Sequence, residues 1–193
     1  AIEQERIHEH RRLLSPRFTA FKMRVLRPFL ACGLRATRVY DQGHRQFRDL
    51  RVVAHSLPLR RLPRQFDGFT ILQLSDLHID LDLTFVEVIE SVLRNIEFDL
   101  CVMTGDYRNS TVGTWHAAVS GIQRLLRQIN VPVYAVLGNH DFLDMVPPLE
   151  RGGMRFLLNE SVRLDRAGAG LNLAGIDDPN IYQTHNLTRA LRA

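Results

Sequence analysis

The sequence is poor in the features that mark secreted and membrane-spanning proteins. Its two cysteines, Cys32 and Cys101, are far apart and match neither a metal-binding spacing nor a disulfide framework, which favours a reducing compartment. No run of about 18 or more consecutive apolar residues is present, so no segment is expected to cross a membrane as a helix. The charged start through Arg12 does not match a secretory signal. We therefore expect a cytoplasmic protein.

Lysine is nearly absent, because every cationic side chain except Lys22 is an arginine. The formal charge of +4 hides an asymmetry along the chain: residues 1–65 carry 15 basic and 5 acidic side chains, whereas the remainder carries 10 and 16. The first part is thus +10 and the rest −6. This division, together with the patterns described below, predicts a basic N-terminal extension over residues 1–49 and a main domain over residues 50–193.

The basic extension contains a helical pattern over residues 18–38. On a helix with 3.6 residues per turn, its apolar and arginine side chains fall on different faces. One face carries Phe21, Val25, Phe29 and Cys32, and another carries Arg24, Arg27, Arg35 and Arg38. Three interpretations remain open: a solvated helix that docks on the domain, an interfacial helix on anionic lipid, and nonspecific attraction to nucleic acid. The solvated helix that docks on the domain is favoured, peripheral contact with the inner membrane through residues 18–38 is kept as the second interpretation, and no specific nucleic-acid partner is expected.

Beyond residue 65 the sequence alternates apolar strands with amphipathic helices. Strands are predicted over 70–75, 100–105 and 131–138, and helices over 84–96 and 114–129, which is typical of a buried, largely parallel sheet. An edge strand is predicted over 50–59, ahead of this region. Later segments predict short strands at 155–158, 162–165 and 171–176, followed by a helix that begins near Asn186. The expected fold class is α/β.

Polar residues capable of binding metal follow each of the three long apolar strands. Asp76 and His78 come after the first, Asp106 after the second, and Asn139 and His140 after the third. Because the carboxyl ends of adjacent parallel strands form one crevice, these side chains are expected to converge there. They offer carboxylate oxygens, an amide oxygen and imidazole nitrogens, which suit Mn, Fe or Zn better than a dedicated Mg site.

In this order the segments SDLH, GDYRN and GNHD resemble the signature of the calcineurin-like metallophosphoesterase superfamily. The resemblance covers residues 70–141. The leader LPRQFDGFTILQLSDLH and the later AGIDDPN resemble a bacterial subgroup that includes membrane-associated phosphoesterases and a hydrolase of UDP-diacylglucosamine pyrophosphate. The family fold implied is a layered sandwich of mixed sheets flanked by helices.

The resemblance also implies roles for the residues at the strand ends. Asp76 and His78 would bind a first divalent metal ion, Asp106 would bridge both ions, and Asn139 would bind the second. His140 would act on the leaving group or steady the phosphoryl oxygens of a phosphorylated substrate. The implied activity is metal-dependent hydrolysis of a phosphodiester, phosphomonoester or pyrophosphate bond, for which two cations and an activated water are suited. The alternative is a noncatalytic module that binds membrane or nucleic acid through the basic extension.

The sequence departs from the family signature in two places. Asn109 stands where the family has the second Asp of Gly-Asp-x-x-Asp, so a supporting negative charge is absent there. The later His and Gly-His-x-His segments are missing, so we expect a C-terminally truncated domain that lacks some metal ligands and full activity. His185, the remaining histidine after His140, is interpreted as a surface residue.

Two further groups invite a functional interpretation. Arg108 follows the bridging Asp106 and could contact a substrate phosphate through its forked guanidinium, or lie exposed in the loop. Asp177 and Asp178 could form a catalytic pair, but adjacent strand residues point to opposite faces and Pro179 follows, which favours a structural turn.

Overall fold

The computed structural model describes residues 33–34 and 39–192, in two compact units divided between residues 52 and 53. In the first unit, helix α1 spans Val39–Arg48, with Asp41 in its first turn and Arg45 and Arg48 in its last, where acidic and basic side chains favour the helix dipole. Sequence analysis did not predict this helix. Most of the predicted helix over 18–38 lies outside the described residues, and its membrane contact stays a prediction, as does the domain boundary near residue 50.

The second unit is built on a four-stranded parallel sheet. Its strands, in spatial order, are β1 (Ile71–Leu74), β2 (Leu100–Met103), β3 (Val133–Ala135) and β4 (Met154–Phe156). All three neighbouring pairs are parallel, and Leu74 lies beside Met103, which in turn lies beside Ala135. The ends of the first three strands therefore meet at one edge of the sheet, which confirms the predicted α/β class and the strands predicted over 70–75, 100–105 and 131–138.

Two helices cross over between the strands, α2 at Phe85–Leu93 and α3 at His116–Leu126. Their predicted apolar faces are buried, including Phe85, Ile89, Leu93, Ala118, Ile122 and Leu125. Glu90 on α2 lies beneath Arg124 on α3, which donates two hydrogen bonds of 2.8 and 2.7 Å to the Glu90 carboxylate. These bonds lower the pKa of Glu90, so this carboxylate is ionised at neutral pH. The pair joins the two helices by charge as well as by apolar packing.

The predicted strand over residues 50–59 is wrong. The structure gives these residues no regular hydrogen-bonded conformation, and all ten are exposed. Pro58 has no N–H to donate to a sheet, and the apolar side chains of Val52, Val53, Leu57 and Leu59 stay exposed to solvent. These apolar residues favoured a strand, but a strand is stabilised by packing of a buried face, and none is present here.

The remaining elements follow the third strand. A short 3₁₀ helix at Leu143–Met145 leads into α4 (Val146–Arg151), in which Pro147 and Pro148 occupy the first turn, where the missing N–H groups cost little. A two-stranded antiparallel sheet pairs β5 (Glu160–Arg166) with β6 (Ala169–Gly175). The predicted helix near Asn186 is confirmed as α5 (Leu187–Ala190), whose first turn is capped by the Asn186 side chain.

Among the described residues, no helix combines the length and the apolar character that crossing a bilayer requires.

Candidate metal centre

The loops that follow β1 and β2 run side by side beyond the ends of the strands. The backbone N–H of Asp76 donates to the carbonyl of Gly105 at 3.1 Å, and that of His78 donates to the carbonyl of Asp106 at 3.0 Å. A third bond of 2.9 Å joins Ile79 to Tyr107. The strand pairing is thus extended into the loops, and this extension fixes the register between Asp76, His78 and Asp106.

These three residues have a backbone conformation that is unusual for side chains other than glycine. The φ angles are 53° at Asp76, 40° at His78 and 53° at Asp106, all in the left-handed region. Such residues are uncommon and cluster at functional sites. Each offers one ligand atom, and these atoms lie within 4.8 Å of one another. Two carboxylates and an imidazole at this spacing form a donor set that fits a divalent transition metal.

The hydrogen bond of the His78 ring determines which nitrogen is available to a metal. Nδ1 lies 2.8 Å from the carbonyl oxygen of Arg108. A carbonyl can only accept, so Nδ1 is the donor of this bond and Nε2 is the ring nitrogen left available to a metal ion. Histidines that bind metals usually donate their other ring N–H in this way. The contact therefore supports His78 as a ligand independently of its spacing to Asp76 and Asp106.

The loop after β3 brings the other two predicted residues to the same place. The backbone N–H of His140 donates to Oδ1 of Asp106 at 3.0 Å, and the ring of His140 meets that of His78 edge to face at 5.0 Å. Nδ1 of His140 lies 2.5 Å from the carbonyl oxygen of Asn109, which again leaves Nε2 available. Asn139 lines the same crevice as Asp76 and Asp106. All five predicted residues are thus brought together at the strand ends, and their separate roles stay predictions.

The close approach of the second and third loops depends on glycine. A side-chain carbon on Gly105 would overlap the backbone of Gly138, and one on Gly138 would overlap the carboxylate of Asp106. Gly105 also has a φ of 93°, which an L side chain rarely adopts. The two glycines therefore allow the Asp106 carboxylate to lie directly against the third loop.

Asp141 joins the loops after β2 and β3 by hydrogen bonds, although sequence analysis gave it no role. Its buried carboxylate accepts backbone N–H bonds from Asp106 (2.8 Å), Tyr107 (3.0 Å) and Gly138 (2.9 Å). Burial raises the pKa of Asp141 to about 6, against the opposing effect of these bonds. The group is ionised at neutral pH and acts as an acceptor for both loops. Its place in the GNHD segment is the signal that could have identified it.

Tyr107 was also missed, and it points into the core instead of the crevice. It has no exposed surface, and its hydroxyl lies 2.7 Å from the carbonyl oxygen of Val136 and 3.1 Å from that of Met103. Burial and the neighbouring Asp141 carboxylate raise the pKa of Tyr107, so the hydroxyl stays protonated and donates. Tyr107 therefore joins the ends of β2 and β3 just below Asp106.

Arg108 is not the exposed loop residue that was considered. Its side chain is fully buried, the guanidinium lies 4.4 Å from the centre of the Phe142 ring, and one nitrogen donates to the carbonyl of Val112 at 2.8 Å. Contact with a substrate phosphate stays a prediction.

The interpretation of Asp177 and Asp178 as a structural turn is confirmed for Asp178, and both residues also line the crevice. The Asp178 carboxylate accepts N–H bonds from Asn180, Ile181 and Tyr182 at 3.0, 2.9 and 2.6 Å. The ordered turn places the Tyr182 hydroxyl 3.1 Å from the carbonyl oxygen of Asn139, a contact that sequence analysis did not foresee. His185 is exposed, in agreement with its interpretation as a surface histidine.

Comparisons with known proteins agree with this geometry. Residues 69–190 match the family model described as calcineurin-like phosphoesterase. The uncharacterized metallophosphoesterase YkoQ of Bacillus subtilis is 31% identical over 117 residues, which cover 56% of this chain and 43% of the relative. A Bos taurus transmembrane protein with metallophosphoesterase domain is 27% identical over 140 residues, covering 66% and 31%. YkuE of B. subtilis, also an uncharacterized metallophosphoesterase, is 37% identical over 93 residues, covering 45% and 31%. The chain spans less than half the length of these relatives.

Proposed function

Because the chain belongs to the calcineurin-like phosphoesterase family, whose members depend on metal, we propose that it hydrolyses phosphoester bonds at the crevice where β1, β2 and β3 end. The observation that carries this proposal is the meeting of Asp76, His78 and Asp106, whose ligand atoms lie within 4.8 Å of one another. Their left-handed backbone and the carbonyl bond to His78 Nδ1 both favour metal binding over a chance acidic cluster.

The proposal assigns two divalent cations to the crevice, drawn from Mn, Fe or Zn. Asp76 and His78 would hold the first, and the amide oxygen of Asn139 would hold the second. Asp106 would bridge them, because its carboxylate lies between the loop of His78 and that of Asn139 and already contacts the backbone of His140. Bound cations would acidify a water molecule and stabilise the charge that develops on the phosphoryl oxygens.

His140 is the residue that would exchange a proton with the substrate. Its Nδ1 is held by the Asn109 carbonyl, and therefore Nε2 is the nitrogen left available to a reacting group. In the imidazolium form Nε2 would donate to the leaving oxygen or to a phosphoryl oxygen, and it would then return as a neutral acceptor. The proposal covers a phosphodiester, phosphomonoester or pyrophosphate bond.

A metal-dependent assay of the whole protein tests this function. Mn²⁺-supported turnover would be measured on an aryl phosphodiester, an aryl phosphomonoester and a nucleoside diphosphate sugar. His140→Ala should lower kcat by about 10²- to 10⁴-fold on the accepted substrate. His185→Ala removes an exposed histidine that has no proposed role in the site, and it should leave kcat unchanged. Turnover that survives both His140→Ala and removal of metal would contradict the proposal.

A further inference from the structure

We propose that Asp80 is a positioning residue for His78 and acts through the peptide group between Arg108 and Asn109. Oδ1 of Asp80 accepts the backbone N–H of Asn109 at 2.7 Å. The carbonyl of the same peptide group, that of Arg108, accepts the Nδ1 proton of His78 at 2.8 Å. The inference rests on the proposed metal centre, in which His78 is a ligand.

The geometry of a peptide bond couples these two contacts. The N–H of Asn109 and the C=O of Arg108 belong to one planar unit, and in the trans form they point in opposite directions. A carboxylate that fixes the N–H therefore fixes the direction of the carbonyl. The arrangement resembles the carboxylate–histidine–metal triad of many metalloproteins with a peptide group inserted between the carboxylate and the ring.

The Asp80 charge also strengthens the bond to His78. A hydrogen bond to an ionised acceptor polarises the peptide group, so the opposite carbonyl becomes a better acceptor for the imidazole proton. A firmly held Nδ1 proton leaves the lone pair on Nε2, where it would be available to a metal ion. Because the next carbonyl, that of Asn109, accepts from Nδ1 of His140, the turn anchored by Asp80 supports both histidines of the site.

The same contact brings a carboxylate to position 109, where the side chain itself is not acidic. The family signature has an acidic side chain there, whereas this chain has Asn109. Asp80, two residues after His78, supplies a carboxylate to the backbone of that same residue. It also faces the buried guanidinium of Arg108, whose pKa burial lowers and whose positive charge Asp80 and Asp141 favour. The negative charge is thus supplied from the first loop and not from the second.

Three variants test the proposal. Asp80→Ala removes the acceptor, and Asp80→Asn keeps an oxygen acceptor but loses the charge. Asp82→Ala is the matched control in the same loop, because the Asp82 carboxylate accepts from Thr84 at the start of α2. Two quantities would be measured: the tautomer of His78 in the metal-free protein, by long-range ¹H–¹⁵N NMR, and the affinity for Co²⁺, by titration of its visible absorption.

The expected results differ among the variants. Asp80→Ala should shift His78 toward a mixture of tautomers and weaken Co²⁺ binding by about 10- to 100-fold, as is typical when a residue that orients a ligand is lost. Asp80→Asn should weaken binding by about threefold to tenfold, since a neutral bond replaces a charge-assisted one. Asp82→Ala should match the wild type in both measurements.

Several outcomes would overturn the proposal. Wild-type tautomer and Co²⁺ affinity in both Asp80 variants would refute it, as would an equal loss in Asp82→Ala. If Asp80→Ala does not fold, Asp80→Asn decides, and wild-type binding by that variant refutes the role. Failure of the wild-type protein to bind Co²⁺ would contradict the metal centre itself, while the tautomer comparison would still test the action of Asp80 on His78.

Discussion

Removal of the Tyr107 hydroxyl should destabilise the protein by about 2 kcal/mol. The Tyr107→Phe substitution leaves the ring in the core and deletes one oxygen, which lies 2.7 Å from the Val136 carbonyl and 3.1 Å from that of Met103. The hydroxyl has one proton, so the shorter contact is expected to be the stronger bond. The perturbation therefore separates a hydrogen bond at the strand ends from the packing of the aromatic ring.

The size of the stability loss depends on which hydrogen bonds the Met103 and Val136 carbonyls retain after the substitution. The carbonyl of Met103 also accepts the backbone N–H of Val136 at 3.0 Å, so it stays satisfied after the substitution. The Val136 carbonyl loses the Tyr107 bond. A buried acceptor deprived of its partner costs about 1–3 kcal/mol, which places the expected loss near 2 kcal/mol. For a domain of this size that corresponds to a fall in Tm of about 4–8 °C.

The assay is urea unfolding of wild-type and variant protein, followed by the fluorescence of the single tryptophan, Trp115. Tyr134→Phe is the matched control on β3, because the hydroxyl of Tyr134 makes no hydrogen bond within the described part of the chain. The control should change the free energy of unfolding by less than about 0.5 kcal/mol. Equal stability of Tyr107→Phe and wild type would show that the hydroxyl does not join the strand ends.

Two more substitutions probe the loops and the helices. Gly138→Ala should weaken Co²⁺ binding by at least about tenfold, because the added methyl group would displace the Asp106 carboxylate. Gly43→Ala is the control and should bind Co²⁺ as the wild type does, because Gly43 has open space around it. Equal binding by both variants would contradict the close approach of the loops. Glu90→Gln should lower the free energy of unfolding by about 1 kcal/mol near neutral pH, and Glu87→Gln, exposed and 3.7 Å from Arg124, should have little effect. The pKa of Glu90 is lowered in the folded state, so its contribution to the free energy of unfolding is present above about pH 4.5 and is lost as the pH falls through the lowered pKa. The difference in free energy of unfolding between wild type and Glu90→Gln should therefore shrink in urea unfolding at about pH 3.5. A difference that stays constant would count against the ion pair.

The sheet and the meeting of the five site residues could be predicted from the sequence because both depend on regular patterns. Continuous apolar runs such as 100–103 indicate buried parallel strands, and a polar residue after each run must then lie at the common edge. Helix ends were less predictable: α2 ends at Leu93 and not at residue 96, since end turns depend on local bonds more than on periodicity.

The contacts that hold the site were not predictable in the same way. The carboxylates of Asp80 and Asp141 bind backbone N–H groups from 29 to 35 residues away, apart from the local bond between Asp141 and Gly138. The backbone N–H of almost any residue can donate to a carboxylate, so the amino-acid types do not indicate which residues will be hydrogen-bonded to each other. Burial of Arg108 was likewise hidden, because an arginine after a ligand in a loop is ordinarily solvated.

The strained backbone of the candidate ligands explains why these remote contacts matter. A left-handed conformation costs about 1–3 kcal/mol at each residue other than glycine, and Asp76, His78 and Asp106 all adopt it. Each of the three donates its backbone N–H to an acceptor, and for Asp106 the acceptor is the buried carboxylate of Asp141. The hydrogen bonds formed when the sheet edge folds thus offset the backbone strain of these residues without requiring a bound metal ion. The ligand atoms are consequently held close together in advance, and affinity for metal should depend on Asp80 and Asp141 as well as on the ligands themselves.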